Sequence, residues 1–395
     1  GTLVNVGGAE AYRRTSEGYN VIRSLTPCKK EKRVPPVPAA GPPALPDEKC
    51  DWRMDGRVVL ADHRWYPTVA TLADGRLIVV GGSKQSTGIN IDNLNVPTYE
   101  FYPREAGGSS IHMPFLVDTM PFNLYPGLHL LPNGRLFVWA NNKAMEFDYM
   151  TNTVAKVHPD IPGPPRSYPL TGSSVLLPLD PRNNYKTEVI VFGGSEGMFP
   201  PAWNSSKGAD SFARIDLSSE APEWEIETMP LPRVMPDGVI LADGTVFISN
   251  GAARGVAGYN VSVRVKASNP VMVPVIYSPL RPPGKRFRKM ARARVPRMYH
   301  SVSLLLPNGQ VLVAGANPID KPTEAPPSWL RWGTEFRVEA FSPPYLFSGR
   351  RRLEVVKAPA RLAYGRRFWV TVRHVLRPRS GRRPPRLEAA LVHTG

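Results

Sequence analysis

One string recurs along this chain and limits what it can fold into. Four whole copies read Tyr66-PTVATLADGRLIVVGG, Tyr125-PGLHLLPNGRLFVWAN, Met235-PDGVILADGTVFISNG and His300-SVSLLLPNGQVLVAGA, and the opening GTLVNVGG carries the second half of a fifth. Each copy sets a turn dipeptide (Asp74-Gly75, Asn133-Gly134, Asp243-Gly244, Asn308-Gly309) between two short apolar runs. Such dipeptides accept positive φ and predict hairpins closed by type I′ turns. Runs like Leu77-Ile78-Val79-Val80 are apolar at every position, as in strands buried on both faces. The glycine pairs that follow suit a backbone passing close to a neighbour. A sixth unit, Thr187-EVIVFGGS, comes after Tyr168-PLTGSSVLLPL.

Hairpins repeated at this spacing predict the four-stranded blades of a kelch-type propeller with long loops. A solenoid would also repeat, but helical periodicity is nearly absent. In a repeat fold, equivalent residues point the same way. The residue nine positions before each turn glycine should therefore lie at one end of the axis. That brings Tyr66 and His300 together, with Tyr299 beside His300. Imidazole and phenol are metal-ligand side chains. The plain alternative is that a tyrosine opening a strand packs and a lone histidine is structural. That reading is kept for Tyr125 and Tyr168, and for His63, His112, His129, His158 and His374, which share no metal-ligand spacing.

Composition agrees with a many-turned β-protein: 44 prolines and 33 glycines are interleaved with apolar runs rather than gathered in a disordered tract. No stretch approaches the length of apolar sequence that a membrane-spanning helix needs. Phe336-RVEAFSPPYLF and Arg352-LEVVKAPARLAYGRRFWVTVRHV predict the start of a β-sandwich, dividing the chain into a propeller over 1–335 and a second domain over 336–395. The net charge of +17 is concentrated in the last residues, from Arg350 on, and in Lys285-RFRKMARAR. A nucleic-acid groove needs aromatics interleaved with such charges. Here the charges ride on proline-rich loops, so nucleic acid is set aside. An anionic cell-wall polysaccharide is a candidate partner, beside plain solvated surface. Residue 1 is Gly rather than Met and LEAALVHTG stops inside an apparent strand, so a longer product is expected.

Two cysteines occur, Cys28 and Cys50, flanking KKEKRVPPVPAAGPPALPDEK. From sequence they could be free or paired. Sequons stand at Asn204 (NSS) and Asn260 (NVS).

The strings HRWYPTVATLADGRLIVVGGS, YPGLHLLPNGRLFVWANN, RMYHSVSLLLPNGQVLVAGANP and FRVEAFSPPYLF closely resemble the plant and fungal glyoxal oxidases, the galactose-oxidase-like copper radical oxidases. The resemblance covers essentially the whole chain. It implies an all-β fold, a seven-bladed kelch-type propeller followed by an immunoglobulin-like sandwich. It also implies one copper ion on the propeller axis, held by two tyrosines and two histidines, one tyrosine being cross-linked to cysteine and oxidised to a radical. On this resemblance Tyr66 matches the radical tyrosine, Tyr299 the axial tyrosine that acts as base, and His300 an equatorial histidine. The cross-linking cysteine and the second histidine have no match among these residues, since Val392-His393-Thr394 departs from the family's motif. The resemblance further implies a Cys28–Cys50 disulfide and, with the sequons, a secreted, extracellular or cell-wall location.

The implied reaction takes small aldehydes or primary alcohols and O2 to carboxylic acids or aldehydes and H2O2. These 395 residues alone are expected to be inactive for want of the two missing groups. The stretch SKQSTGINIDNLNVPTYEFYP lacks the tryptophan of galactose oxidases and leans toward the glyoxal-oxidase branch. A kelch propeller that only binds protein or cell-wall carbohydrate is the alternative.

Overall fold

The computed structural model describes residues 2–9, 18–27, 51–86, 89, 91–104, 108–197, 203–260, 264–320, 322–323, 325–347, 354–359 and 366–373. Six antiparallel sheets, each a simple meander, form the blades of a propeller. The first holds Leu3–Val6, Val21–Leu25 and Arg53–Val59. The second holds Thr68–Thr71, Leu77–Val80, Thr98–Tyr102 and Ile111–His112. The third runs Gly127–Leu130, Leu136–Ala140, Lys143–Asp148, Thr153–Val157, and the fourth Gly172–Leu176, Glu188–Gly193, Ser211–Asp216, Trp224–Thr228. The fifth comprises Asp237–Ile240, Val246–Ser249, Val275–Tyr277 and Phe287–Lys289; the sixth, Ser301–Leu305, Val311–Gly315 and Glu339–Phe341. From the second blade on, the first strand of each meander touches the first strand of the next, which places these strands around the axis.

The second strand of each blade is the most buried. Leu136–Ala140 and Glu188–Gly193 are buried at every position. Apolar clusters fill the space between successive blades. One joins Ile78 and Val80 to Leu136 and Val138, a second Phe137 and Trp139 to Val189 and Val191, and a third Ile190 and Phe192 to Val246 and Ile248. Runs that are apolar throughout are thus explained by a strand with a neighbouring sheet on each side.

Two expectations about the architecture are corrected. Among the described residues the propeller has six blades, not seven. The loop-rich stretch that could have held another blade instead pairs Ala252–Gly255 with Ala267–Pro270, a two-stranded hairpin inserted into the fifth blade. No immunoglobulin-like sandwich is described either. Beyond the sixth blade the strands are Glu354–Lys357 and Thr371–Arg373, paired only with each other. Val355, Trp369 and Val370 around them are exposed, so among the described residues these strands have no second sheet against which to form a core.

The hairpin turns also differ from type I′. Gly75, Gly134, Gly244 and Gly309 have positive φ, whereas Asp74, Asn133, Asp243 and Asn308 do not. Each glycine amide donates to the carbonyl three residues back, as in Gly75 to Leu72 at 3.0 Å and Gly309 to Leu306 at 2.8 Å. That is a type I turn closed by a left-handed glycine, the three-residue hairpin loop. The Asp or Asn side chain accepts the amide two residues on, Arg76 N to Asp74 Oδ1 at 2.9 Å and Gln310 N to Asn308 Oδ1 at 3.0 Å. A side chain that caps its own turn is why Asp and Asn hold this position.

Candidate functional site

The repeat places its first residue by backbone strain. Tyr66, Tyr125, Met235 and His300 have φ of 60°, 53°, 59° and 64°. A left-handed non-glycine residue costs on the order of 1 kcal/mol. Because inert Met235 shares the conformation, the strain belongs to the propeller rather than to chemistry: it turns the loop into the inner strand. Adjacent blades support it, with Tyr125 N donating to Tyr66 O at 3.1 Å and Met235 N to Thr171 O at 2.7 Å.

Four buried arginines hold these loops, and sequence reasoning missed them. Arg64, Arg166, Arg233 and Arg297 are at most 3% exposed. Their Nη1 atoms donate to the carbonyls of Gly81 (2.8 Å), Gly193, Asn250 (2.7 Å) and Gly315 (2.7 Å), where the second strand of the same blade ends. Arg64 also pairs with Glu100 and Arg297 with Glu339. No carboxylate meets Arg166 or Arg233 among the described residues, and burial pulls their pKa values down to about 10 and about 9. The signal was in the copies, as Arg64-Trp65-Tyr66, Arg233-Val234-Met235 and Arg297-Met298-Tyr299-His300. The extra residue in the last of these sets Tyr299 beside His300.

The side chains converge. Tyr66 and Tyr299 share a short hydroxyl–hydroxyl hydrogen bond. Tyr299 stacks on His300 with ring centroids 3.8 Å apart. Tyr66 lies between Trp65, stacked at 3.7 Å, and Tyr125, stacked at 4.6 Å, with Tyr168 edge-on at 4.9 Å. Tyr259 stands edge-on to Tyr299 (5.5 Å) and to His300 (5.2 Å). Tyr125 and Tyr168, read as packing residues from sequence, therefore wall the same site, and Tyr259 joins them from a loop outside the repeat.

Burial drives the Tyr66 and Tyr299 phenols well above their ordinary range, and neighbouring phenols add to the rise. Tyr168 is pushed up to about 12, also mainly by burial, while a hydrogen bond with Tyr299 works the other way. Burial of the imidazole lowers the His300 pKa and a hydrogen bond to the Asn317 backbone partly offsets it, although the residue as a whole is exposed. No lysine or arginine acts on Tyr66 or Tyr299. At neutral pH the cluster is a set of neutral phenols and a neutral imidazole with its lone pair available. A bound cation would supply the positive charge that burial denies these oxygens, so the donor set fits copper.

The other residues singled out from sequence lie elsewhere. Cys28, Cys50, His374 and His393 are outside the described residues. Among the described residues no three His, Cys, Asp or Glu side chains form a metal-binding group, so phenols are the oxygen donors available to His300. Asn204 is half-buried in the 3-10 turn Trp203–Ser205. Asn260 is buried, and its Oδ1 accepts the Lys266 amide at 2.7 Å. His129 contacts Ser174 Oγ at 2.8 Å, and burial lowers its pKa to about 4. His158 faces Glu146 at 3.4 Å. No helix among the described residues is long and apolar enough to cross a membrane.

The chain is similar to known proteins in sequence and in fold. The chain is 38% identical to the "Aldehyde oxidase GLOX" of Vitis pseudoreticulata, over 94% of its own length and 64% of that protein's. It is 35% identical to "Aldehyde oxidase GLOX1" of Arabidopsis thaliana, over 94% and 56% respectively. It thus spans less than two thirds of either curated relative. Among solved structures it is similar in fold to one described as "Novel fungal alcohol oxidase with catalytic diversity among the AA5 family, in complex with copper", with a TM-score of 0.59 and 16% identity over 90% of this chain and 64% of that one. The family described as "Glyoxal oxidase N-terminus" matches residues 1–345. With that match over most of its length, the chain belongs to the glyoxal oxidase family, related to the galactose oxidases.

Proposed function

We propose that the protein is a copper radical oxidase that oxidises small aldehydes or primary alcohols with O2, giving carboxylic acids or aldehydes and H2O2. The observation that carries this reading is the meeting of the Tyr66 and Tyr299 hydroxyls beside His300. These three residues would hold the copper ion, Tyr66 being the tyrosine that carries the radical after cross-linking to a cysteine. When bound, copper supplies a one-electron redox partner to the protein radical, so that two electrons leave the substrate without flavin or nicotinamide. The chain's own residues do the rest. Tyr299, hydrogen-bonded to Tyr66 and Tyr168, would take up a substrate hydroxyl proton as the phenolate that a bound cation favours against the effect of burial. The stacked ring of Trp65 shields Tyr66 from water, and the hydrogen bond to the Asn317 backbone orients His300.

The same reading puts the protein outside the cell or in the cell wall, with a Cys28–Cys50 disulfide and glycans at Asn204 and Asn260. The Lys266 amide bonds Asn260 Oδ1 and so leaves Nδ2, the atom that would carry the glycan, out of that bond. An acidic wall polysaccharide is the proposed partner of the cationic surface.

Copper titration of the full-length protein, followed by calorimetry and electron paramagnetic resonance, tests the assignment. One ion should bind per chain, and His300→Gln should weaken binding by about tenfold or more. Tyr66→Phe should abolish peroxide formation over a panel of small aldehydes and alcohols. Equal copper affinity in His300→Gln, or peroxide formation surviving Tyr66→Phe, would sink the assignment and favour a propeller that only binds.

A further inference from the structure

The hairpin inserted into the fifth blade is tied down on two sides. Its outgoing arm is bonded to the fourth blade's loops, with Gly208 N donating to Ala253 O and Gly255 N to Ser206 O, both at 2.8 Å. Its tip is held at two more points, by Ala257 N donating to Pro169 O at 2.8 Å and Asn260 N donating to Pro318 O at 2.7 Å. Pro169 precedes the fourth blade's inner strand and Pro318 follows the sixth blade's second strand, so the tip is tied to loops of both flanking blades. Between the two anchors lies Gly258, where a Cβ would come within 3.3 Å of the Tyr168 hydroxyl. Tyr259 follows, and its ring meets both Tyr299 and His300 edge-on. A backbone fixed two residues before Tyr259 and one residue after it holds the base of that ring in place.

We infer that Tyr259 is a specificity-determining residue: a fixed wall over Tyr299 and His300 that admits aldehydes or alcohols bearing only a small group next to the reacting carbon. This rests on the oxidase reading above. The wall stands against the imidazole of His300, an exposed residue, and so limits the volume beside the groups that would meet substrate. A pocket that excludes by volume discriminates by one to two orders of magnitude.

The test compares kcat/KM for acetaldehyde and phenylacetaldehyde in the full-length protein. Tyr259→Ala should lower the ratio of small to bulky substrate by about tenfold, Tyr259→Trp should raise it, and Tyr259→Phe should leave it within about twofold. A second measurement does not need turnover. In metal-free protein labelled at histidine, the imidazole signal absent from His300→Gln should keep its ring-current shift in Tyr259→Phe and lose it in Tyr259→Ala. An unchanged ratio in active Tyr259→Ala and Tyr259→Trp, or an imidazole signal that ignores Tyr259→Ala, overturns the inference alone. Wild-type protein that turns over neither aldehyde overturns the oxidase reading and the inference with it.

Discussion

Two of the buried arginines separate what a clamp costs from what an ion pair costs. Arg64 donates to the Gly81 carbonyl and pairs with Glu100, itself 2% exposed. Arg233 donates to the Asn250 and Val273 carbonyls, meets no carboxylate, and leaves its Nε without a partner. Removing Arg64 therefore strands a buried charge, at about 3–5 kcal/mol. Removing Arg233 strands only carbonyls, at about 1–3 kcal/mol, and it also relieves the cost of burying an unpaired cation. Arg64→Met should accordingly be the more destabilising of the two by urea unfolding. Equal midpoints would mean that Glu100 finds another partner when Arg64 is gone. The arginine is visible in the copies, but two residues before Tyr66 and Met235 and three before His300, which hides it from a fixed-period reading.

At the scale of elements, glycines of similar φ do different work. Gly244 has φ of 79° at a hairpin tip, and a Cβ there would meet nothing within 4 Å. Gly255 has φ of 108° in the inserted hairpin, and its Cβ would lie 2.2 Å from the Lys266 carbonyl oxygen. Gly244→Asn should shift stability by no more than about 0.5 kcal/mol, since Asn tolerates the left-handed region. Gly255→Ala has to move backbone and should cost about 2 kcal/mol or more. Differential scanning of the two variants checks the contrast, and a Gly255→Ala protein melting with wild type would show that the hairpin gives way freely. The elements themselves were legible because strands buried on both faces read as unbroken apolar runs. Turn type was not, because Asp-Gly serves both the two-residue and the three-residue hairpin loop. Neither was Tyr259, since the loop that delivers it copies no part of the repeat.

Over the whole molecule, the six repeat units match the six blades, and the seventh blade was expected from the family resemblance. The loop-rich segment from Ala252 to Pro270 adds a hairpin without adding a blade. Of the sandwich expected from Phe336-RVEAFSPPYLF and Arg352-LEVVKAPARLAYGRRFWVTVRHV, the described residues past the sixth blade hold one pair of strands, Glu354–Lys357 and Thr371–Arg373. That Tyr66 and His300 hold equivalent backbone positions was readable from the nine-residue offset to the turn glycine, because each blade builds that position with the same local geometry. Which other side chains crowd around them depends on contacts between blades that no offset encodes.

The shared left-handed residue makes the axis a set of interchangeable seats. Those of Tyr66, Tyr125 and Met235 are held by backbone hydrogen bonds to the neighbouring blade rather than by their side chains, so an occupant can be exchanged without removing them. Met235 fills one such seat in the same apolar cluster as Tyr299. Histidine tolerates positive φ better than methionine does, and Met235→His would place a second imidazole on the ring of seats. Copper affinity measured by calorimetry should rise by about tenfold or more for the added nitrogen donor, with the melting temperature little changed. No gain in affinity would mean that this seat faces away from the ion. A gain would mean that the propeller's chemistry can be rewritten one seat at a time.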